Sequence, residues 1–293
     1  MLATNMFSYA SENYHFLKRH FIRSIELITG QKKIYRLYKE YHSEQKDNDH
    51  FFFNSAISKL DLNIKYDEDA LNSIPHNEPL VIVANHPYGV LDGIVMNYLV
   101  HKIRRDFKVL TNTALYKMPE ANSTLLPIDF DTTKDALETN LNTRKLARNL
   151  LKDGGCIAVF PAGGVSSIPT WKDTVAQDTQ WQPFIGSLIQ GSKATIVPIF
   201  FEGQNSRIFQ LASLFSPTVR LSLFIKELTD RIGSPVAVNI GAPIPYSDIS
   251  HLKDKVDLMH YLRTKTYSLG GMGTLPQPRA AYRIDSTKIK KNS

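Results

Sequence analysis

His86 and Asp92 stand in the stretch Asn85-His86-Pro87-Tyr88-Gly89-Val90-Leu91-Asp92-Gly93, directly after the apolar run Leu80-Val81-Ile82-Val83-Ala84. A neutral imidazole has the basicity to take a proton near neutral pH, and a carboxylate on its other nitrogen fixes the tautomer and stabilises the imidazolium. At this spacing the two would not share one face of a regular helix, where each residue turns the chain by about 100°. They meet if His86 ends a strand, Pro87 to Gly89 turn, and Asp92 begins a helix. Gly89 permits that turn and Gly93 a close backbone approach. A second stretch, Phe160-Pro161-Ala162-Gly163-Gly164-Val165-Ser166, follows another apolar run. Gly163 and Gly164 can present consecutive backbone N–H groups, and Ser166 and Ser167 add hydroxyls. Such a loop stabilises an oxyanion or holds a phosphate, or else it is a plain glycine turn between strand and helix. No Gly-Lys-Ser/Thr makes it a Walker A loop, and no Gly-x-Ser-x-Gly marks a nucleophile elbow.

The elements that must position these loops alternate. Strands are expected at Leu62 to Tyr66, Leu80 to Ala84, Phe107 to Thr111, Cys156 to Phe160, Thr195 to Phe201 and Val236 to Ile240. Helices fall between them: Gly93 to Arg105, a long one capped by Thr132 or Thr133 through Leu137, Leu141, Leu146 and Leu150, and Phe184 to Gln190. A last helix is expected to open at Ser247 and run through Leu252, Val256 and Met259 toward Gly270-Gly271. The pattern predicts an α/β fold, a mostly parallel mixed sheet flanked by helices. Ahead of it, Phe16 to Tyr41 reads as helix interrupted near Gly30, with Phe21, Ile25 and Ile28, then Ile34, Leu37, Tyr38 and Tyr41, at three- and four-residue steps. Lys and Arg fill the positions between. Such a helix either packs on the core with a solvated basic face or lies in an anionic membrane interface. The expected organisation is an N-terminal helical extension over residues 1–60, a domain over 61–273 and a basic tail over 274–293.

With 293 residues, 42% hydrophobic and 22% charged, the chain can bury a sizeable core. A net charge of +7 suits an acidic partner: nucleic acid, anionic lipid or an acidic carrier. Nucleic-acid binding has only that charge behind it, with no binding motif. The single cysteine, Cys156, excludes an intrachain disulfide framework and any multi-cysteine metal site, and no His/carboxylate spacing suggests a metal. No apolar run reaches the roughly 18–20 residues of a membrane span, and no signal-peptide core opens the chain. A cytoplasmic protein with peripheral membrane contact is expected.

The two loops, with Val197-Pro198 after them, resemble the glycerolipid acyltransferase superfamily that includes lysophosphatidic acid acyltransferase. That family carries Asn-His with a following Asp, then Phe-Pro-x-Gly, then Val-Pro on a later strand; here these are Asn85-His86 with Asp92, Phe160-Pro161-Ala162-Gly163, and Val197-Pro198. The likeness spans about Leu62 to Ile244. Two features depart from the commoner pattern: one extra residue separates His86 from Asp92, and Ala162 and Val165 replace a glutamate and an arginine. Both departures resemble the bacterial hemolysin-like branch, some of whose members O-acylate lyso-ornithine lipid. Asp178-Thr179-Gln180-Trp181 and Phe201 to Ser206 resemble that branch as well. The missing arginine directs expectation away from a glycerol-phosphate acceptor.

The resemblance implies direct acyl transfer from an acyl thioester, on acyl-carrier protein or acyl-CoA as co-substrate, to a lyso-lipid hydroxyl, with no further cofactor. It casts His86 as base, Asp92 as its orienting acid, and backbone donors near Gly163 and Gly164 as oxyanion stabilisers. Asn85, Pro87, Tyr88, Gly89, Phe160, Pro161, Gly163, Gly164, Ser166 and Pro198 are the candidate substrate-binding residues. The partners are the carrier, the lyso-lipid and an anionic membrane at the inner face of the cell membrane. A thioesterase or lipid hydrolase using the same pair on water, and a non-catalytic lipid-binding protein, stand as alternatives. Trp171, Lys172 and Trp181 could line an acyl pocket or simply pack; Lys193 and Arg207 could meet a phosphate or simply be solvated.

Overall fold

The central strands are apolar at every position because both of their faces are covered, so each alternation of side chains fills a layer. The computed structural model describes residues 7–10, 14–44, 51–112, 118–128 and 133–272. Seven strands, β1 (Asn63–Lys65), β2 (Leu80–Ala84), β3 (Phe107–Asn112), β4 (Leu125–Ile128), β5 (Cys156–Val159), β6 (Thr195–Phe201) and β7 (Pro235–Ile240), form one sheet in the order β1-β7-β6-β2-β5-β3-β4. The five from β6 to β4 are mutually parallel, β7 is antiparallel to β6, and β1 is parallel to β7. The expected mostly parallel mixed sheet is therefore present.

On one face Leu80, Ile82, Ala84, Ala158, Val197 and Ile199 meet Leu91, Val95, Met96 and Leu99 of α5 (Val90–Ile103). On the other, Val81, Val83, Ile157, Val159 and Ile196 meet α7 (Pro183–Ser192) and α11 (Lys255–Ser268). Of the N-terminal helices, α3 (Phe52–Lys59) packs on α5, whereas α1 (Phe16–Ile28) and α2 (Gln31–Glu44) pack on α9 (Pro217–Asp230), and a short α4 (Glu68–Asn72) precedes β2; Ile34, Tyr41, Phe52 and Phe53 join the first layer. Gly30, with φ at 122°, separates α1 from α2.

Several boundaries and faces differ from expectation for identifiable reasons. The last helix does not start at Ser247. A short α10 (Tyr246–Ile249) ends first, and α11 starts after Asp254, whose carboxylate caps the amides of Val256 and Asp257 at 2.7 and 3.1 Å. β4, not anticipated, is only four residues long and contains a proline, Pro127, in register with Thr111; Leu125 and Leu126 fill opposite layers. The helices α8 (Arg207–Phe215) and α9 (Pro217–Asp230) were not anticipated, although Ser206 and Ser216-Pro217 are cap signals for both. Thr133 caps α6 (Lys134–Lys152) through Ala136 N–H at 3.1 Å, but the helix buries Ala136, Thr143, Ala147 and Leu151, leaving Leu137, Leu141 and Leu146 exposed. Likewise α1 buries Ile22 and Glu26 while Leu17, Phe21 and Ile28 face outward. Thr132 and the expected tail over 274–293 lie outside the described residues.

Candidate active site

Three adjacent parallel strands, β5, β2 and β6, end side by side, and the loops that leave their C-terminal ends build the site. Asn85 comes first after β2. Buried, it clamps the neighbouring strand: its Nδ2 donates to the Phe201 carbonyl at 2.9 Å and its Oδ1 accepts from Phe201 N–H at 2.7 Å. The amide thus extends the β2–β6 ladder by one rung and sets where the chain turns. Pro87 and Tyr88 are buried in the turn, and Tyr88 Oη donates to the Glu202 carbonyl at 2.8 Å, with Arg231 stacked 4.3 Å over its ring.

Gly89 has φ at 85°, in the region that favours glycine, and a Cβ there would also crowd Phe224 and Val165 at 3.1 Å. That residue is the N-cap of α5, which brings Asp92 into the first turn of the helix. Asp92 is fully buried, and its Oδ2 accepts three hydrogen bonds: from Tyr88 N–H at 2.8 Å, Gly89 N–H at 3.0 Å and His86 Nδ1 at 2.9 Å. Burial raises the Asp92 carboxyl above its usual range, while His86 and the two amides pull it back. With Nδ1–H engaged by a carboxylate, Nε2 carries the lone pair. His86 keeps 18% of its side chain open, so a substrate can reach it. The expected strand–turn–helix geometry thus brings His86 and Asp92 into contact.

The loop after β5 supports the imidazole from its face. Phe160 stacks on the His86 ring, centroids 4.1 Å apart and planes 20° from parallel. The Pro161 carbonyl accepts from Gln182 N–H at 2.9 Å, which ties the loop to α7. Gly163, φ 71°, donates its N–H to the Phe160 carbonyl at 3.0 Å, so that amide closes the turn and is not open to a substrate oxygen. Gly164 is exposed, with nothing within 4 Å of where a Cβ would stand. Ser166 is buried. Its N–H donates to the His86 carbonyl at 2.8 Å and its hydroxyl to Asp178 Oδ1 at 2.5 Å, so it joins the two loops instead of facing outward.

Other expected residues lie apart from this cluster. Pro198 sits within β6 in register with Val83, three residues short of the strand end, with Gly241 packed against its ring. Its place is in the sheet, one rung set back from the loops. Trp181 is buried and donates Nε1–H to Asp178 Oδ2 at 2.9 Å, whereas Trp171 is exposed. Arg207 donates to the carbonyls of Trp171 and Asp173. Lys193 is an exposed residue ending α7. The sequence by itself gives Asp178 no role; its only signal is its place in Asp178-Thr179-Gln180-Trp181, a segment that resembles the hemolysin-like branch. Arg220 of α9, also unanticipated, donates to the Val165 carbonyl at 2.6 Å, beside the position where the commoner family pattern carries its arginine.

An apolar cavity of about 110 Å³ opens on the far side of α5 from the pair, and neither His86 nor Asp92 lines it. Val90 and Ile94, one on each side of Asp92 in α5, form one wall, and Leu37, Tyr41, Ala56 and Leu228 from α2, α3 and α9 form much of the rest. Polar atoms contribute little to its lining.

Residues 18–272 match the acyltransferase family, and the chain belongs to it. Among curated relatives, the lyso-glycine lipid O-acyltransferase of Bacteroides thetaiotaomicron is 24% identical over 269 residues, covering 89% of this chain and 93% of the relative. The protein of the same name from Phocaeicola vulgatus is 22% identical, covering 89% and 91%. Among solved structures, the 1-acyl-sn-glycerophosphate acyltransferase PlsC from Thermotoga maritima is similar at 16% identity, covering 94% and 97% of the two chains with a TM-score of 0.45.

Proposed function

We propose that this acyltransferase moves a fatty acyl group from a thioester, on acyl-carrier protein or acyl-CoA, to the hydroxyl of a lyso-lipid whose headgroup is an N-linked amino acid. The observation that carries this reading is the buried-carboxylate/imidazole pair, Asp92 in the first turn of α5 holding His86 just ahead of it, with an apolar cavity lined by Val90 and Ile94 on the opposite face of the same helix. The carboxylate that holds the base and a slot for an alkyl chain thus share one helix, on opposite faces. The names of the two bacterial relatives support an amino-acid lipid as acceptor, as does Val165 in place of a phosphate-associated arginine.

In this reading His86 Nε2 takes the proton of the acceptor hydroxyl as its oxygen attacks the thioester carbonyl. Asp92 holds the imidazole through Nδ1–H and stabilises the imidazolium that forms. The tetrahedral oxyanion meets the exposed Gly164 amide; Gly163 is already engaged. Collapse breaks the C–S bond, and the departing thiolate recovers its proton from His86. The exposed stripe of α1, with lysines and arginines around it, rests on anionic lipid at the inner face of the membrane and keeps the site beside its acceptor.

The test is purified protein with palmitoyl thioester and a lyso-glycine lipid, products followed by mass spectrometry. Diacyl lipid from the wild type, and none from folded His86→Ala, is the expected result. Free palmitate in place of diacyl lipid would identify a hydrolase. Full turnover by His86→Ala would sink the base assignment.

A further inference from the structure

We infer that Asp178 is a positioning residue for the acyl-transfer base: it holds the main chain of His86 in place and stabilises the imidazole in its charged form. This rests on the reading of His86 as base. Asp178 follows a short hairpin closed by the paired amides and carbonyls of Ser167 and Gln177, which returns the chain beneath both loops. Its carboxylate is 2% exposed. Oδ1 accepts from Ser166 Oγ–H at 2.5 Å and from the His86 peptide N–H at 3.2 Å; Oδ2 accepts from Trp181 Nε1–H at 2.9 Å.

Because Ser166 N–H also donates to the His86 carbonyl, both peptide groups flanking the His86 Cα are anchored, one by the second loop and one by Asp178. Phe160 limits the ring's tilt and Asp92 its rotation. Asp178 itself is fixed from α11, where its N–H donates to Tyr267 Oη at 2.7 Å and its carbonyl accepts from Arg263 Nη2 at 3.1 Å.

The charge is as informative as the geometry. Among the described residues no cationic side chain reaches the Asp178 carboxylate at ion-pair distance; its donors are neutral, and Arg263 meets only the carbonyl. A buried carboxylate held this way is expensive and favours any cation that forms nearby. The group that becomes cationic in the reaction is His86. Burial raises the Asp178 carboxyl, while Ser166, Trp181 and His86 draw it back down. The titratable groups facing the pair are Asp92 from α5 and Tyr267 and Arg263 from α11.

The experiment compares Asp178→Asn, Trp181→Phe and His86→Ala with the wild type, using palmitoyl thioester and lyso-glycine lipid from pH 5.5 to 9, with near-UV circular dichroism as the check of folding. For Asp178→Asn we expect kcat to fall at least thirty-fold, with KM for the thioester within two-fold. Its acidic limb should move at least half a pH unit lower, because losing the anion disfavours the imidazolium. Trp181→Phe should lose three- to ten-fold in kcat and move the limb the other way, since the carboxylate keeps its charge and loses a donor. A folded Asp178→Asn with an unmoved limb overturns the inference, whatever its kcat. If Asp178→Asn does not fold, an unmoved limb in Trp181→Phe overturns it. Turnover by His86→Ala would instead defeat the base reading, so the two failures are distinguishable.

Discussion

Asp92 concentrates three donors on one carboxylate oxygen, so its replacement tests more than a charge. In Asp92→Asn the single amide oxygen can still satisfy Tyr88 and Gly89, but no anion remains to hold Nδ1–H of His86. We expect kcat to fall by about 10³ to 10⁴, the scale seen when an equivalent carboxylate is neutralised in a hydrolytic triad, with little change in KM. Steady-state kinetics on the folded variant checks this, and a loss under ten-fold would remove Asp92 from the mechanism. Cys156 supplies a second residue-scale test. Wedged between β2 and β3 with its thiol pushed up to about 12 by burial, it holds only about one part in 10⁴ as thiolate at pH 8. Iodoacetamide should leave the native protein unlabelled and active, and should label one equivalent after unfolding. Rapid native labelling with loss of transfer would point to a thiol route. At this scale much was legible in advance: strand, turn and helix signals around His86 sufficed to bring Asp92 within reach. Asp178 was not legible as a partner, because 92 residues separate it from His86 and only the sheet joins them.

At the scale of elements, α5 contributes to both features on which the proposed reading rests. Its first turn carries Asp92, and its flank lines the apolar cavity that α2 and α3 close. On the proposed reading the alkyl chain enters that cavity, so filling it should shorten the chain accepted. Ala56→Leu on α3 displaces roughly two methylenes of a long chain, worth about 1.6 kcal/mol, or roughly fifteen-fold in kcat/KM. We expect palmitoyl donors to lose that factor against lauroyl donors. An unchanged chain-length profile would move the alkyl chain elsewhere. Helices α1 and α6 show why faces are harder to read than elements. In both, the apolar positions with the better helical spacing face outward, and the buried stripe is made from smaller or polar residues such as Glu26, Thr143 and Ala147. Periodicity identifies an apolar side, but only neighbouring elements decide which side they cover. Buried Glu26 accepts from Ser8 Oγ–H and Tyr9 N–H at 2.6 and 2.8 Å, partners 18 and 17 residues away that no local pattern announces.

Across the whole molecule, the +7 charge and the outward stripe of α1 bear on where the enzyme works. Ile28 is 84% exposed and Leu17 62%, so replacing exposed members of this stripe should not unfold the protein. Leu17→Glu with Phe21→Glu should weaken binding to vesicles rich in phosphatidylglycerol at least ten-fold, while wild-type binding falls as salt rises. Co-sedimentation measures both, and unaltered binding by the double variant would place the membrane contact elsewhere. No described helix is long and apolar enough to cross a membrane. By itself, the order of residues determined what neighbouring residues can decide: the α/β alternation, the buried strands, and a histidine and a carboxylate on one strand–turn–helix unit. Those features depend on local dihedral preference and short-range periodicity, which a chain carries wherever it goes. The tertiary structure alone decided that β7 turns antiparallel, that Ser166 faces Asp178, that Gly163 closes a turn, and that α2 and α3 roof a cavity against the Val90–Ile94 face of α5. Each of these joins segments through pairing and packing across the sheet, where the energy belongs to the contact and to neither partner alone.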